Sequence, residues 1–304
     1  MTLQQLKYVV CIAEIGNITL AAEKLFIAQP SITNSIKNLE DELGFSIFNR
    51  NNRGVTLTEQ GNIFLSYARQ MLEQLELIES KFMNKKEIKP YFSVSCQHYS
   101  FAVNAFIDVI NKYNANSYNF TLRETQTYEI ITDVKDMVSE VGVLYLSSKN
   151  EEIITKLLKE NDLEFELLFI AKPHVFITNI HPLAKKNEIK LEELDNYPYL
   201  SFEQGKNNSF YFSEEVLSTL DRKKNIKVRD RATLFNLLIG LNGYTVSSGV
   251  ISHELNGESI ISKPLLIDEY MKIGIIKHKN IILSQYANSF IESIKKHIPN
   301  QKDF

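Results

Sequence analysis

"IAQPSITNSIKNLEDELG", residues 27–44, places Gln29, Ser31, Thr33, Asn34 and Ser35 at the head of a segment that otherwise repeats like a helix. Ile32, Ile36, Leu39 and Leu43 recur at spacings of four, three and four, which puts them on one buried face, and Gly44 ends the run. Pro30 suits the first helical position, where its missing N–H would be unpaired anyway, so Gln29 is expected as the N-cap. Asn34 then lies nearly opposite Ile32, with Thr33 and Lys37 beside it, and the polar residues form an exposed face over the N-terminal half. Such residues also serve as simple caps, but one cap needs only one of them. The surplus fits a recognition helix, whose first turns meet base edges and phosphates in a major groove, with the acids Glu40, Asp41 and Glu42 kept at the far end.

Two shorter helices precede this one. Leu3, Leu6, Val9, Val10 and Ala13 share a face, Gly16-Asn17 breaks the pattern, and Leu20, Ala21 and Leu25 are the buried side of the second helix. After Gly44, the β-prone pieces Phe45–Phe48 and Gly54–Leu57 flank "NRNNR", which reads as a hairpin with Arg50 and Arg53 at its tip. Loop arginines are often merely solvated; beside a recognition helix, phosphate or minor-groove contact is the favoured role. From Thr58 to Phe82 an apolar stripe (Phe64, Tyr67, Met71, Leu75, Ile78, Phe82) suits either the chain's own core or a two-helix dimer seam, and its length favours the seam. "NKKEIKP", ending at Pro90, marks a domain boundary.

Residues 1–61 resemble the winged helix-turn-helix of LysR-type transcriptional regulators in "AAEKL", in "QPSIT" followed by "I..LE.ELG", in "FNR" and in the "G.TLTE.G" that closes the wing. Ala28 stands where that family often has Ser, and Asn34 where Arg or Gln is common, so both positions offer less polar or basic contact. The resemblance implies DNA contact by Gln29, Pro30, Ser31, Thr33, Asn34, Lys37, Arg50 and Arg53, and a dimerisation helix over residues 62–88. It also implies a dimer of dimers on promoter DNA and contact with RNA polymerase.

Beyond Pro90 strand-like and helix-like segments alternate, from "YFSVSC" and "FAVNAFIDVINKY" to "KIGIIKHK" and "SQYANSFIESIKKHI", with "LEEL" and "SEEVLSTL" read as helices. "EVGVLYL", "HPLA" and "LIGLNGYTVSSG" fall in the order of the same family's effector domain. The fold class expected is therefore α/β overall. An N-terminal all-α winged helix-turn-helix with a long linker helix would precede two Rossmann-like subdomains, I at about 89–164 and 267–304 and II at about 165–266.

Ligands in such folds bind between lobes at the carboxyl ends of strands. The first strand delivers Ser95, Gln97, His98 and Ser100 there; the other candidates are Ser147, Phe202, Glu203, Gln204 and Ser247. Ser100 precedes a helix and suits an anion or a plain cap; His98 adds charge when protonated or serves as a structural hydrogen-bonding group. A small anionic effector is expected.

Composition bounds the alternatives. With 44% hydrophobic and 23% charged residues the chain reads as globular. No apolar run approaches the roughly 18 residues of a membrane span, no secretion signal is legible, and two cysteines make no disulfide framework, so a reducing cytoplasm is expected. The net charge of −3, and nine Lys/Arg against ten Asp/Glu in residues 1–88, give no global basic footprint, so DNA binding has to rest on local geometry. The six histidines show no metal-ligand spacing, and no GxGxxG, GxxxxGK[ST] or nucleophile elbow is present, so neither enzyme, metal nor cofactor is expected. A solute-binding receptor without DNA binding is the second reading.

Overall fold

The computed structural model describes residues 1–51, 54–83, 89–207, 209–252, 257–279 and 281–298, without the side chains of 50, 51, 73, 77 and 80–83. The chain forms two compact units, Met1–Lys89 and Pro90–Phe304. In the first, α1 (Leu3–Ile15), α2 (Ile18–Lys24) and α3 (Gln29–Leu43) are followed by a hairpin, β1 (Phe48–Asn51) and β2 (Gly54–Leu57), and by α4 (Glu59–Met83). Val9, Ile12, Ala21, Ile32, Ile36, Leu39 and Ile47 are fully buried together. α1 begins in a capping box between Thr2 and Gln5 and ends at Gly16; α3 ends at Gly44, and both glycines take left-handed φ values of 69° and 77°.

Two local features differ from the pattern that the sequence predicts. The N-cap of α3 is Ala28, because its carbonyl accepts from Ser31 and Ile32 N–H, which makes Gln29 the first helical residue. The first wing strand starts at Phe48 instead of Phe45. Glu40, near the end of α3, accepts from the backbone N–H of Ile47 (2.8 Å) and Phe48 (3.1 Å), while Phe45 turns inward edge-to-face with Phe64 (6.4 Å). The chain is thus turned by a side chain seven residues back before strand pairing begins.

In the second unit, β3 (Tyr91–Cys96), β4 (Asn119–Glu124), β5 (Val141–Leu146), β6 (Leu163–Ala171) and β13 (Met271–His278) form a sheet of order β4-β3-β5-β13-β6. β3 runs parallel to β4 and β5, and β13 antiparallel to β5 and β6. α5 (Ser100–Tyr113) and α9 (Gln285–Ile294) bury Phe101, Ala105 and Phe290 with Phe92 and Val94; α6 (Thr127–Lys135) and α7 (Glu151–Glu160) bury Ile130, Val134 and Ile154 with Leu144 and Leu146. Because β6 belongs to this sheet, the chain leaves the first lobe after Ala171 and not at 164.

The second lobe is a sheet of order β11-β7-β12-β8, from β7 (His174–Thr178), β8 (Ile189–Lys190), β11 (Thr245–Ser247) and β12 (Ile260–Leu266), beside the parallel pair β9 (Tyr199–Phe202) and β10 (Asn225–Val228). α8 (Arg231–Leu241) packs there through Leu234 and Leu238. "LEEL" is a 3-10 turn, and "SEEVLSTL" forms no helix: Leu217 takes a left-handed φ of 61°, and Glu214 and Glu215 are buried.

At Gly61 an added Cβ would lie 2.0 Å from the carbonyl oxygen of Ile47, where α4 meets the strap before β1. Gly61→Ala is therefore expected to destabilise the N-terminal unit by about 1–3 kcal/mol, read as a lower denaturation midpoint in urea; an unchanged midpoint would mean that this contact is slack.

Candidate DNA-binding surface and effector cleft

α2 is capped by Asn17, whose Oδ1 accepts from Thr19 (2.8 Å) and Leu20 (3.1 Å). The turn into α3 puts Phe26 at φ 54° and 95% exposed. With Ile32, Ile36 and Leu39 fully buried, Gln29, Pro30, Ser31, Asn34 and Lys37 are exposed and Thr33 half-exposed, so the polar residues nominated on α3 share one solvent-facing surface. The start of α3 has no side-chain cap, which leaves these polar side chains out of capping. Gln5 Nε2 donates to the Ser35 carbonyl (3.2 Å), and Val55 N–H donates to the Gly16 carbonyl (2.9 Å), tying α3 and the wing to α1. Arg50 lies on β1 opposite Val55; Arg53 lies outside the described residues.

On α4, Leu65 and Ala68 are buried, whereas Tyr67, Met71 and Ile78 are 39%, 47% and 55% exposed. The apolar stripe is therefore left largely open over its described length; the Phe82 side chain lies outside the description.

In the second unit the ends of β3, β4, β5, β9 and β10 supply most of the nominated cleft residues and several that went unnoticed in the sequence. Gln97 is a buried hub: its Nε2 donates to Thr127 Oγ1 (2.6 Å), and its Oε1 accepts from Tyr145 N–H (3.0 Å) and the Tyr99 hydroxyl (3.2 Å). The His98 ring stacks on Phe202, with centroids 3.7 Å apart, while its Nδ1 meets Glu214 Oε2 at 2.8 Å and its Nε2 the Arg229 carbonyl at 3.2 Å. Gln204 accepts from Thr127 N–H (3.1 Å) and donates to Glu214 Oε1 (3.3 Å). Ser100 is the first residue of α5 and not its cap; its Oγ accepts from Ser252 N–H (3.2 Å).

Three nominated residues are engaged elsewhere. Ser95 bonds to Asp133 (2.5 Å) and Ser139 (2.8 Å) on the α6 side of the sheet, since alternate β3 residues face opposite ways. Ser147 is held in the turn before α7 by Asn150, and Glu203 pairs with Arg229 (2.8 Å) near solvent. Ser247 ends β11 opposite His174. An open groove of about 670 Å³ lies at Val250, Ile251, Ser262, Lys263, Lys296 and His297, and no nominated residue lines it.

Burial alone would lower the His98 pKa, but the charge and hydrogen bond of Glu214, with Glu124 behind it, raise it above its ordinary value. Burial raises Glu124 despite Arg231 at 3.1 Å, and holds the Glu215 carboxyl well above the usual range. No group of three His, Cys, Asp or Glu side chains able to hold a metal is found among the described residues. Nor, among them, is any helix long and apolar enough to cross a membrane.

Residues 3–62 match the family model described as bacterial regulatory helix-turn-helix protein, lysR family. The chain is 24% identical over 312 residues to the HTH-type transcriptional regulator CysL of Bacillus subtilis (strain 168), covering 98% of this chain and 94% of that protein. It is 28% identical over 316 residues to a probable RuBisCO transcriptional regulator of Thalassiosira pseudonana, covering 100% and 95%. A solved full-length OxyR variant from Pseudomonas aeruginosa shares the fold with a TM-score of 0.65 at 22% identity, over 97% and 95% of the two chains. An exposed polar face on a buried three-residue spine and a paired wing thus lie within the segment that matches the helix-turn-helix model of the lysR family, and the chain is similar to transcriptional regulators from end to end.

Proposed function

We propose that this regulator reads a specific duplex with the exposed side chains of Gln29, Ser31, Thr33, Asn34 and Lys37 and anchors on phosphates through Arg50 and Arg53. The observation that carries this reading is the bare polar face of α3 above fully buried Ile32, Ile36 and Leu39, beside a paired wing. Gln and Asn present both a donor and an acceptor, which match an adenine edge, while Lys37 and the wing arginines neutralise phosphates. The exposed Tyr67, Met71 and Ile78 stripe suits a helix–helix seam with a second copy, and two such dimers would form the tetramer. Work on promoter DNA puts the protein in the cytoplasm beside RNA polymerase, with no catalytic role.

The effector reading rests on the second unit. A small ligand seated among Gln97, His98, Ser100, Phe202 and Gln204 would bind one lobe arrangement better than another and so shift an existing equilibrium. Ser95, Ser147 and Glu203, engaged elsewhere, fall outside that set.

Selection from a random duplex pool followed by quantitative binding tests the DNA reading. Gln29→Ala and Asn34→Ala are expected to lose about 1–3 kcal/mol of discrimination at individual base pairs. Arg50→Ala and Arg53→Ala should weaken binding to all duplexes alike and each reduce the salt slope by about 1. An Asn34→Ala protein with unchanged base preference would overturn the assigned helix face.

Lobe closure has a pH signature. His98 faces Glu214 and the Arg229 carbonyl, with Glu124 and Asp230 beyond, and its folded pKa lies above the unfolded value. The stability it confers is therefore complete below about pH 6.5 and lost as pH rises through the raised value. The difference in thermal midpoint between the intact chain and His98→Gln should shrink with rising pH across that window; a difference that grows would reverse the sign.

A further inference from the structure

After β9 of the second lobe, residues 204–207 and 209–217 reach the first lobe at Gln126, Thr127 and Tyr128. Gln204 bonds to Thr127, Gly205 sits where any Cβ would meet the Gln126 side chain at 2.7 Å, and Phe212 packs edge-to-face on Tyr128. At its end Glu214 is only 6% exposed, yet it belongs to no helix or strand. Its carboxylate receives His98 N–H (3.2 Å), His98 Nδ1 (2.8 Å) and Gln204 Nε2 (3.3 Å). The Nε2 of the same ring faces a carbonyl, which only accepts, so Nε2 holds a proton; with Glu214 ionised, Nδ1 holds the second and the imidazolium is matched by an anion there. One further donor is in place on the Glu124 side of the cleft: Arg231 Nη1 is buried with no hydrogen-bond partner among the described residues.

If Glu214 withdraws, three buried donors lose their acceptor, and each orphaned donor is costly. An ionised carboxylate from solution has the charge, the planar geometry and the two acceptor atoms to replace it; a neutral amide or alcohol lacks the charge. We infer that the junction of His98, Gln204 and Glu214 is a carboxylate-binding site closed by the chain's own side chain, and that the effector is an organic acid whose carboxylate takes the place of Glu214. This rests on the effector reading above and gives it a chemical class. Glu214 is then a built-in competitor. Effector affinity is reduced by the fraction of time the site is self-occupied, and the strap it anchors is released when the ligand enters.

The experiment uses the full chain with Glu214→Ala and acetate as probe, read by thermal midpoint at matched ionic strength against chloride. Acetate at ten times its dissociation constant is expected to raise the midpoint of Glu214→Ala by roughly 3–5 °C. It should leave the intact chain unmoved, and adding His98→Gln should abolish the response. Equal effects of acetate and chloride on Glu214→Ala would overturn the inference. Should that variant fail to fold, Glu214→Gln keeps the shape without the charge; acetate should displace the weaker neutral group and raise its midpoint, and indifference to acetate would again overturn the site. Specific DNA binding is measured separately on the intact chain. Its absence would count against the regulatory reading while leaving a positive acetate result as evidence for a carboxylate site, so the two failures are distinguishable.

Discussion

The burial of Ile32, Ile36 and Leu39 under α3 is the constraint on which the N-terminal unit depends. Each fully buried side chain of this size is worth roughly 1.5–3 kcal/mol, enough to fix the rotation of a 15-residue helix about its own axis. Once that rotation is fixed, Gln29, Asn34 and Lys37 have no choice but to face solvent. Glu40 shows why the acids sit at the far end of the helix. It is a backbone acceptor for Ile47 and Phe48, so the residue that keeps negative charge away from the recognition turns also launches the wing. The low overall charge of the chain is compatible with this arrangement because the acids of α3 are segregated from its polar face.

The second unit is organised by a different interaction. One apolar core runs through both lobes, from Phe92 and Phe290 to Val175 and Leu265. At the cleft, beside the ring contacts of His98 with Phe202 and Tyr128 with Phe212, several polar bonds cross: His98 with Glu214, Gln204 with Thr127, Ser252 with Ser100 and Arg231 with Glu124. Polar bonds that a ligand's own groups could replace, set beside an apolar core that both lobes share, are what the proposed effector response requires. Several small polar bonds, each worth little net in competition with water, are easier for a small molecule to rearrange than a buried apolar contact.

Much of this was legible in the sequence, and what was not has identifiable causes. The spacing of Ile32, Ile36 and Leu39 defined α3 because a helix with one buried face leaves a periodic trace. The run from Tyr91 to Cys96 read as a strand because its first-lobe setting is almost wholly buried. The start of the wing was misplaced because Phe45 and Ile47 are apolar for the core and not for strand pairing, and the turning carboxylate of Glu40 leaves no periodic mark. β12 passed unnoticed because Ser262, Lys263 and Pro264 interrupt its apolar pattern, although β7 on one side and β8 on the other hold it in the sheet. "SEEVLSTL" has a helical composition, but its two glutamates are drawn into tertiary contacts, one of them with a residue 116 positions earlier. Propensity does not register a partner at that distance. His98 and Gln204 were visible as polar residues at strand ends; their common partner Glu214 was not.

A mobility shift of the purified chain on its own upstream intergenic DNA, against a scrambled duplex of equal length and salt, decides what the exposed face of α3 does. A regulator built as described should bind the native duplex at least about a thousandfold more tightly than the scrambled one. Equal affinity for the two duplexes, with the same steep salt dependence, would reduce the α3 surface to a nonspecific phosphate contact and contradict the assignment of its exposed face to base recognition.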